Sequence, residues 1–154
     1  ILMKIYNTNQ EIGCRILLIL QIVKKTYSIE RIGYYDYFSL HFSDLKKTGE
    51  SLHPSNPNHS AEIIIKRHTI ENAINFLIGK GLIEPQYNSQ GIKYQNTNLG
   101  NKIVDMFNNE YTKKYQYYVT EVDKIFSKMN EDKIRNYVNK NIGKWIGEFE
   151  KNEK

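Results

Sequence analysis

Cysteine occurs once in this chain, at Cys14, so neither an internal disulfide framework nor a multi-cysteine zinc site is open to it. Inside an apolar run, Cys14 is expected to pack as a small hydrophobe, with burial raising its pKa and suppressing the thiolate. Long hydrophobic runs are missing as well. The longest, Ile16 to Leu20, is far too short to cross a bilayer, and Ile1-Leu2-Met3-Lys4 does not make a signal peptide. The plain expectation is a cytoplasmic protein. Catalytic signatures are equally scarce: the sequence has no P-loop, no nucleophile elbow and no His-Glu-x-x-His pattern. No enzyme activity and no cofactor are expected.

A concentrated basic block is also lacking. The net charge of +5 is spread as seven Lys/Arg against five Asp/Glu in residues 1–50, five against four in 51–109, and ten against eight in 110–154. Dedicated DNA-binding domains gather their cations on one face, so nucleic-acid binding stays open without being the default. Tyrosine, in contrast, is abundant, with 12 residues. Its apolar ring and polar tip suit half-buried surfaces and interfaces. Tyr, Ile, Asn and Lys are enriched together, which an AT-biased genome also produces.

The local patterns define a succession of helices. Thr8-x-x-Glu11 is a capping box that launches a helix from Glu11 to about Lys25, with Ile12, Ile16, Leu17, Ile19, Leu20 and Val23 on a broad apolar face. Ser28 caps a second helix to about His41, with Ile29, Ile32, Tyr35 and Phe38 inward. A polar segment from Ser43 to His59 holds Gly49, Pro54 and Pro57. Its proline rings fix φ and remove donors, giving the loop a shape of its own. Ser60 then caps a long helix, with Glu62 in its first turn and Ile63, Ile64, Ile70, Ala73, Ile74, Leu77 and Ile78 as apolar positions, ending at Gly81.

Leu82 to Tyr87 and Ile92 to Asn96 read as two strands joined by Asn88-Ser89-Gln90-Gly91, with Pro85 placing the first at an edge. Helix, helix, loop, helix, hairpin is the order of a winged helix. Thr97 or Asn98 starts a further helix through Ile103, Val104, Met106 and Phe107. Asn109 to Met129 is another, with Tyr111, Tyr115, Tyr118, Val122, Ile125 and Phe126 at helical spacing. Asn130 caps a last one carrying Ile134, Tyr137, Val138, Ile142, Trp145, Ile146 and Phe149. The expected fold class is mainly α with a small β-hairpin (α+β). It comprises a winged-helix-like domain over residues 1–107 and a C-terminal helical extension over 108–154, packing on that domain or on a partner.

Candidate site residues are few. His53, His59 and His68 lack the cysteine or paired carboxylates that would complete a coordination set, so no metal is expected. Asp36, between Tyr35 and Tyr37, is expected to be partly buried and to anchor a nearby loop rather than act as a base. On the third helix and hairpin of a winged helix, Lys66, Arg67, Asn72, Asn75, Lys80 and Lys93 are the polar positions facing nucleic acid. Lys66, Arg67, Lys80 and Lys93 are the candidate contacts.

Glu11-Ile12-Gly13-x-Arg15-Ile16-Leu17, Tyr35-Asp36-Tyr37 with His41, Ser51-Leu52-His53-Pro54, Ser60-x-Glu62 and Lys66-Arg67 together resemble the middle component of bacterial ABC three-component systems, the small accessory subunit of Lamassu-type antiphage assemblies. The likeness spans roughly residues 7 to 120, with Ser-Leu-His-Pro its most specific part. It departs at His59-Ser60-Ala61-Glu62, where Arg-Ser-Gly-Glu is expected, and the helix after Asn130 lies beyond it. The resemblance implies a winged-helix subunit without activity of its own. Such a subunit joins an SMC-like ABC ATPase to an effector, often a nuclease, and helps regulate that effector's release or activation. Ser51, Leu52, His53 and Pro54 would then shape the loop or face a partner, with Arg15, Asp36, Ser60, Glu62 and Arg67 bracing it. DNA would be met mainly through the complex, with no membrane and no small-molecule substrate. The alternative is a stand-alone winged-helix transcription regulator, dimeric through its C-terminal helices. A small-molecule sensor would need a pocket that the sequence does not reveal.

Overall fold

Thr8 starts the described fold as a helix cap: its hydroxyl accepts the Glu11 amide at 3.1 Å, and α1 runs Asn9–Val23. The computed structural model describes residues 8–45 and 59–141, with side chains from Arg67 onward in the second stretch. The helix closes at Lys24, which takes the left-handed conformation (φ 54°). Its wide apolar stripe explains its place. Ile12, Ile16, Leu17, Leu18, Ile19, Leu20 and Val23 are all buried, and α1 is the axis that the other elements surround.

Ser28 caps α2 (Ile29–Leu40) through the Arg31 amide at 3.2 Å, and Ile32, Tyr35 and Phe38 reach the core. The short α3 follows at Phe42–Leu45. The long α4 spans His59–Gly79, so Ser60 sits inside its first turn rather than at its cap. Ile70, Ala73, Ile74 and Leu77 bury its inner face, as their spacing anticipates, while Ile78 is 37% exposed. At its end the Leu82 amide bonds the Leu77 carbonyl and the Gly81 amide bonds that of Ile78, with Gly81 at φ 70°. This is a Schellman closure that a residue with a Cβ would strain.

The hairpin pairs β1 (Ile83–Asn88) with β2 (Gly91–Asn96) in antiparallel register, Asn88 opposite Gly91 and Ile83 opposite Asn96. Gly91 has φ 119°, and the Asn88 side chain accepts the Gln90 amide at 2.8 Å, so the turn is set by the residues its composition suggests. On its far side β2 is flanked by Tyr27, which exchanges both backbone hydrogen bonds with Tyr94 at 3.1 and 2.9 Å. Among the described residues β2 is therefore central and β1 is the rim. Tyr94 turns its main-chain groups toward Tyr27, so the opposed Pro85 directs its own outward, where it has no N–H to offer.

Thr97 caps α5 (Asn98–Asp105) by accepting the Gly100 amide, and donates its hydroxyl to the Gly81 carbonyl at 2.7 Å. Gly100 lies so close to the α4–β1 turn that a Cβ would come within 2.1 Å of the Leu82 carbonyl oxygen. Met106, expected as an apolar position, is 75% exposed. Asn109 caps α6 (Glu110–Phe126), which ends three residues before the expected Met129, and Tyr115, Val119, Val122 and Phe126 enter the core shared with α1 and α2. Asn130 caps α7, over residues 131–141, through the Lys133 amide at 2.9 Å, and Ile134 and Val138 are buried. The expected positions Ile142, Trp145, Ile146 and Phe149 lie outside the described residues. The whole is mainly helical with one small antiparallel hairpin, and none of the described helices is long and apolar enough to cross a membrane.

Candidate functional site

Two polar centres are sealed between the helices. In the first, α1 contributes Arg15, α2 contributes Asp36 and α6 contributes Tyr115. The Arg15 guanidinium donates to both Asp36 oxygens, at 2.8 and 3.3 Å, and the Tyr115 hydroxyl donates to the same carboxylate at 2.5 Å. Side-chain exposure is 3% for Arg15 and 0% for Asp36, so both charges are out of water. Burial opposes the Arg15 charge, but the Asp36 carboxylate outweighs it and raises the guanidinium's pKa further. Burial first, then the Asp36 charge, pushes the Tyr115 phenol well above its ordinary value, so it remains a neutral donor. This arrangement fixes three helices to one another.

The second centre joins α2 to the end of α6. Tyr35 donates to Asp123 at 2.6 Å and Tyr27 to the same oxygen at 3.1 Å. Arg31 lies over the Tyr27 ring, 4.4 Å from its centroid, and donates to the Phe126 and Met129 carbonyls, each at 2.7 Å. A cation on the last carbonyls of a helix satisfies orphan acceptors and complements the negative end of its dipole. Burial, then the hydrogen bonds with Asp123 and Tyr27, raises the Tyr35 pKa, and burial likewise raises that of Tyr27. Outside, Arg135 of α7 grips Glu30 at 2.6 and 2.7 Å, and Tyr34 donates to Glu30 at 3.0 Å. The hydrogen bond from Arg135 holds the Glu30 carboxyl below its usual range. Burial and the neighbouring Glu30 charge push Tyr34 up to about 12.

Against the expected site residues the result is mixed. Arg15 and Asp36 are brought together, and Asp36 is wholly buried rather than half open. Arg67 is exposed on α4. Lys80, in the turn just past the end of α4, is exposed too, its amine 5.8 Å from the Phe76 ring centroid. Asn72 and Asn75 are exposed on the same helix. Lys93 stands on the hairpin opposite Gln86, so the candidate cations do not share one element. Ser51, Leu52, His53 and Pro54 lie outside the described residues, as do the side chains of His59, Ser60, Glu62 and Lys66. No cluster of three or more metal-ligating side chains occurs among the described residues. Cys14 is half-buried; burial first, then Glu11, raises its pKa, which disfavours the thiolate. Tyr27, Arg31, Tyr115 and Asp123 escaped sequence reasoning. Only the abundance of tyrosine hinted at them.

A small α+β protein whose buried charges are tied into interhelical joints is the class this geometry defines. Residues 5–148 match the family of ABC-three component (ABC-3C) system Middle Component 2, and the chain belongs to that family. The match reaches past residue 120 and takes in α7, which the resemblance alone did not cover. No curated protein and no solved structure matches the chain. As the middle component of a multi-component system, it has protein partners.

Proposed function

We propose that this chain is the non-catalytic bridging subunit of a Lamassu-type antiphage complex, linking an SMC-like ABC ATPase to an effector, often a nuclease. In that role it helps regulate the effector's release or activation, in the cytoplasm. The observation that carries the reading is the family match over residues 5–148. A winged-helix body is part of the proposal. It is supported by the order α1, α2, α4, β1, β2, and by the Tyr27 bridge between α1 and α2, where that fold has its first strand. The absence of activity is supported by the state of the buried groups: Asp36 is clasped by Arg15, and the Tyr115 and Tyr35 phenols are held neutral. In this reading the Ser51–Pro54 segment faces a partner, and Lys66, Arg67, Lys80 and Lys93 meet DNA mainly within the assembly.

Affinity purification of the tagged chain from cells expressing its flanking operon tests this directly. Co-purification of a coiled-coil ATPase and an effector is expected, with ATPase and nuclease activity absent from the isolated chain. Turnover of nucleotide or cleavage of nucleic acid by the pure chain refutes the reading. Tight, steeply salt-dependent duplex binding by the chain alone, without co-purifying partners, favours the transcription regulator instead. Deletion of Ser51–Pro54 should abolish complex formation while leaving the fold intact.

A further inference from the structure

Tyr27 is held from four directions. Its main chain exchanges two hydrogen bonds with Tyr94 of β2. Its ring meets Tyr35 edge-on, with centroids 5.2 Å apart, and carries the Arg31 guanidinium on its face. Its hydroxyl donates to Asp123 of α6 and lies 3.3 Å from the Tyr35 hydroxyl. Arg31 in turn clamps the last carbonyls before α7. One residue, 5% exposed, thus spans the distance, its main chain holding the hairpin and its side chain reaching the end of α6. We propose that Tyr27 is a mechanical link between the hairpin and the C-terminal helices, so that a load on β2 is transmitted to the α6–α7 turn. The hairpin and the last helices are otherwise tied to the body by separate contacts: β2 to α1 through the Asn96 amide on the Leu17 carbonyl, and α7 to α2 through Arg135 on Glu30. In a bridging subunit, and resting on that reading for its purpose, such a link lets a partner on the hairpin be felt by a partner on the C-terminal helices.

Site-resolved amide hydrogen exchange on the full isolated chain tests the link without any partner, so its failure is separable from failure of the bridging reading. Tyr27→Phe keeps the ring and the main-chain bridge but removes the hydroxyl. It should accelerate exchange about tenfold both in Ile92–Gln95 and in residues 127–141, the scale of one hydrogen bond to a charged acceptor. Asp123→Asn perturbs from the other end and should reach the same two segments. Arg135→Gln, which loosens α7 without touching Tyr27, should accelerate residues 131–141 alone. The proposal is overturned if Tyr27→Phe and Asp123→Asn leave the hairpin unchanged. It is equally overturned if they accelerate α1 and α4 as much as the two linked segments.

Discussion

Arg15→Met should be among the most damaging single changes available to this fold. The substitution keeps a long apolar stem but leaves the Asp36 carboxylate, 0% exposed, without its guanidinium. Breaking a buried ion pair by removing one partner costs about 3–5 kcal/mol, because the remaining charge stays out of water with its opposite charge gone. For a chain of this size each kcal/mol moves the melting temperature by roughly 2–4 °C, so a fall of roughly 6–20 °C is expected. Asp36→Leu should cost a similar amount, and Tyr115→Phe about 1.5–3 kcal/mol, the range for a hydrogen bond to a charged group. The double variant Arg15→Met/Asp36→Leu removes both charges at once and should recover to within about 2 kcal/mol of the parent, since a buried pair and a well-packed apolar replacement differ little. Urea denaturation followed by far-ultraviolet circular dichroism gives all four stabilities, and the cycle isolates the coupling. If each single variant loses less than about 1 kcal/mol, or the double loses the sum of the singles, the joint is not the desolvated pair argued here.

Three further outcomes follow from the same geometry. Folded-state phenol pKa values raised by burial at Tyr27, Tyr35 and Tyr115 give a contribution to stability that is constant below pH of about 10 and falls above it, as the unfolded chain ionises first. Titration at 295 nm should therefore show a late group of tyrosines ionising together with the loss of helix; a single smooth titration of all of them counts against it. Glu30 works in the opposite direction: its depressed pKa adds stability above pH of about 4.3, lost as the pH falls through the folded value, and Arg135→Gln should flatten that acid limb of a melting-temperature profile. Gly100→Ala should destabilise by about 3 kcal/mol, the upper range of overpacking, because the new methyl meets the rigid Leu82 carbonyl; an unchanged urea midpoint would mean the α4–β1 turn yields freely.

Local grammar was readable in the chain wherever its cause is local. Thr8, Ser28, Asn109 and Asn130 cap the helices that their neighbours predict, and Gly81 and Gly91 sit where positive φ is required. Periodicity also found the buried faces of α1, α2 and α4. What it could not find is convergence. Arg15, Asp36 and Tyr115 come from three helices, and no spacing rule relates positions so far apart in the chain. A first-turn arginine such as Arg31 reads as solvated until the helix end it caps is known. Tyr27 forms a one-residue strand, too short to leave any alternation behind. The ends differ for a related reason: α6 stops at Phe126 because the Arg31 clamp and the Asn130 cap turn the chain there, although helix-forming residues continue to Met129.

Pro85 gives the hairpin a rung that no stranger can grasp. A third ribbon arriving along the free side of β1 would find the amide missing at its midpoint, so the sheet resists templated growth into fibres as well as capture of a loose peptide backbone. Whatever docks there must read the projecting rings and chains, such as Tyr87 and Ile92, and selectivity then falls to shape rather than to main-chain zippering.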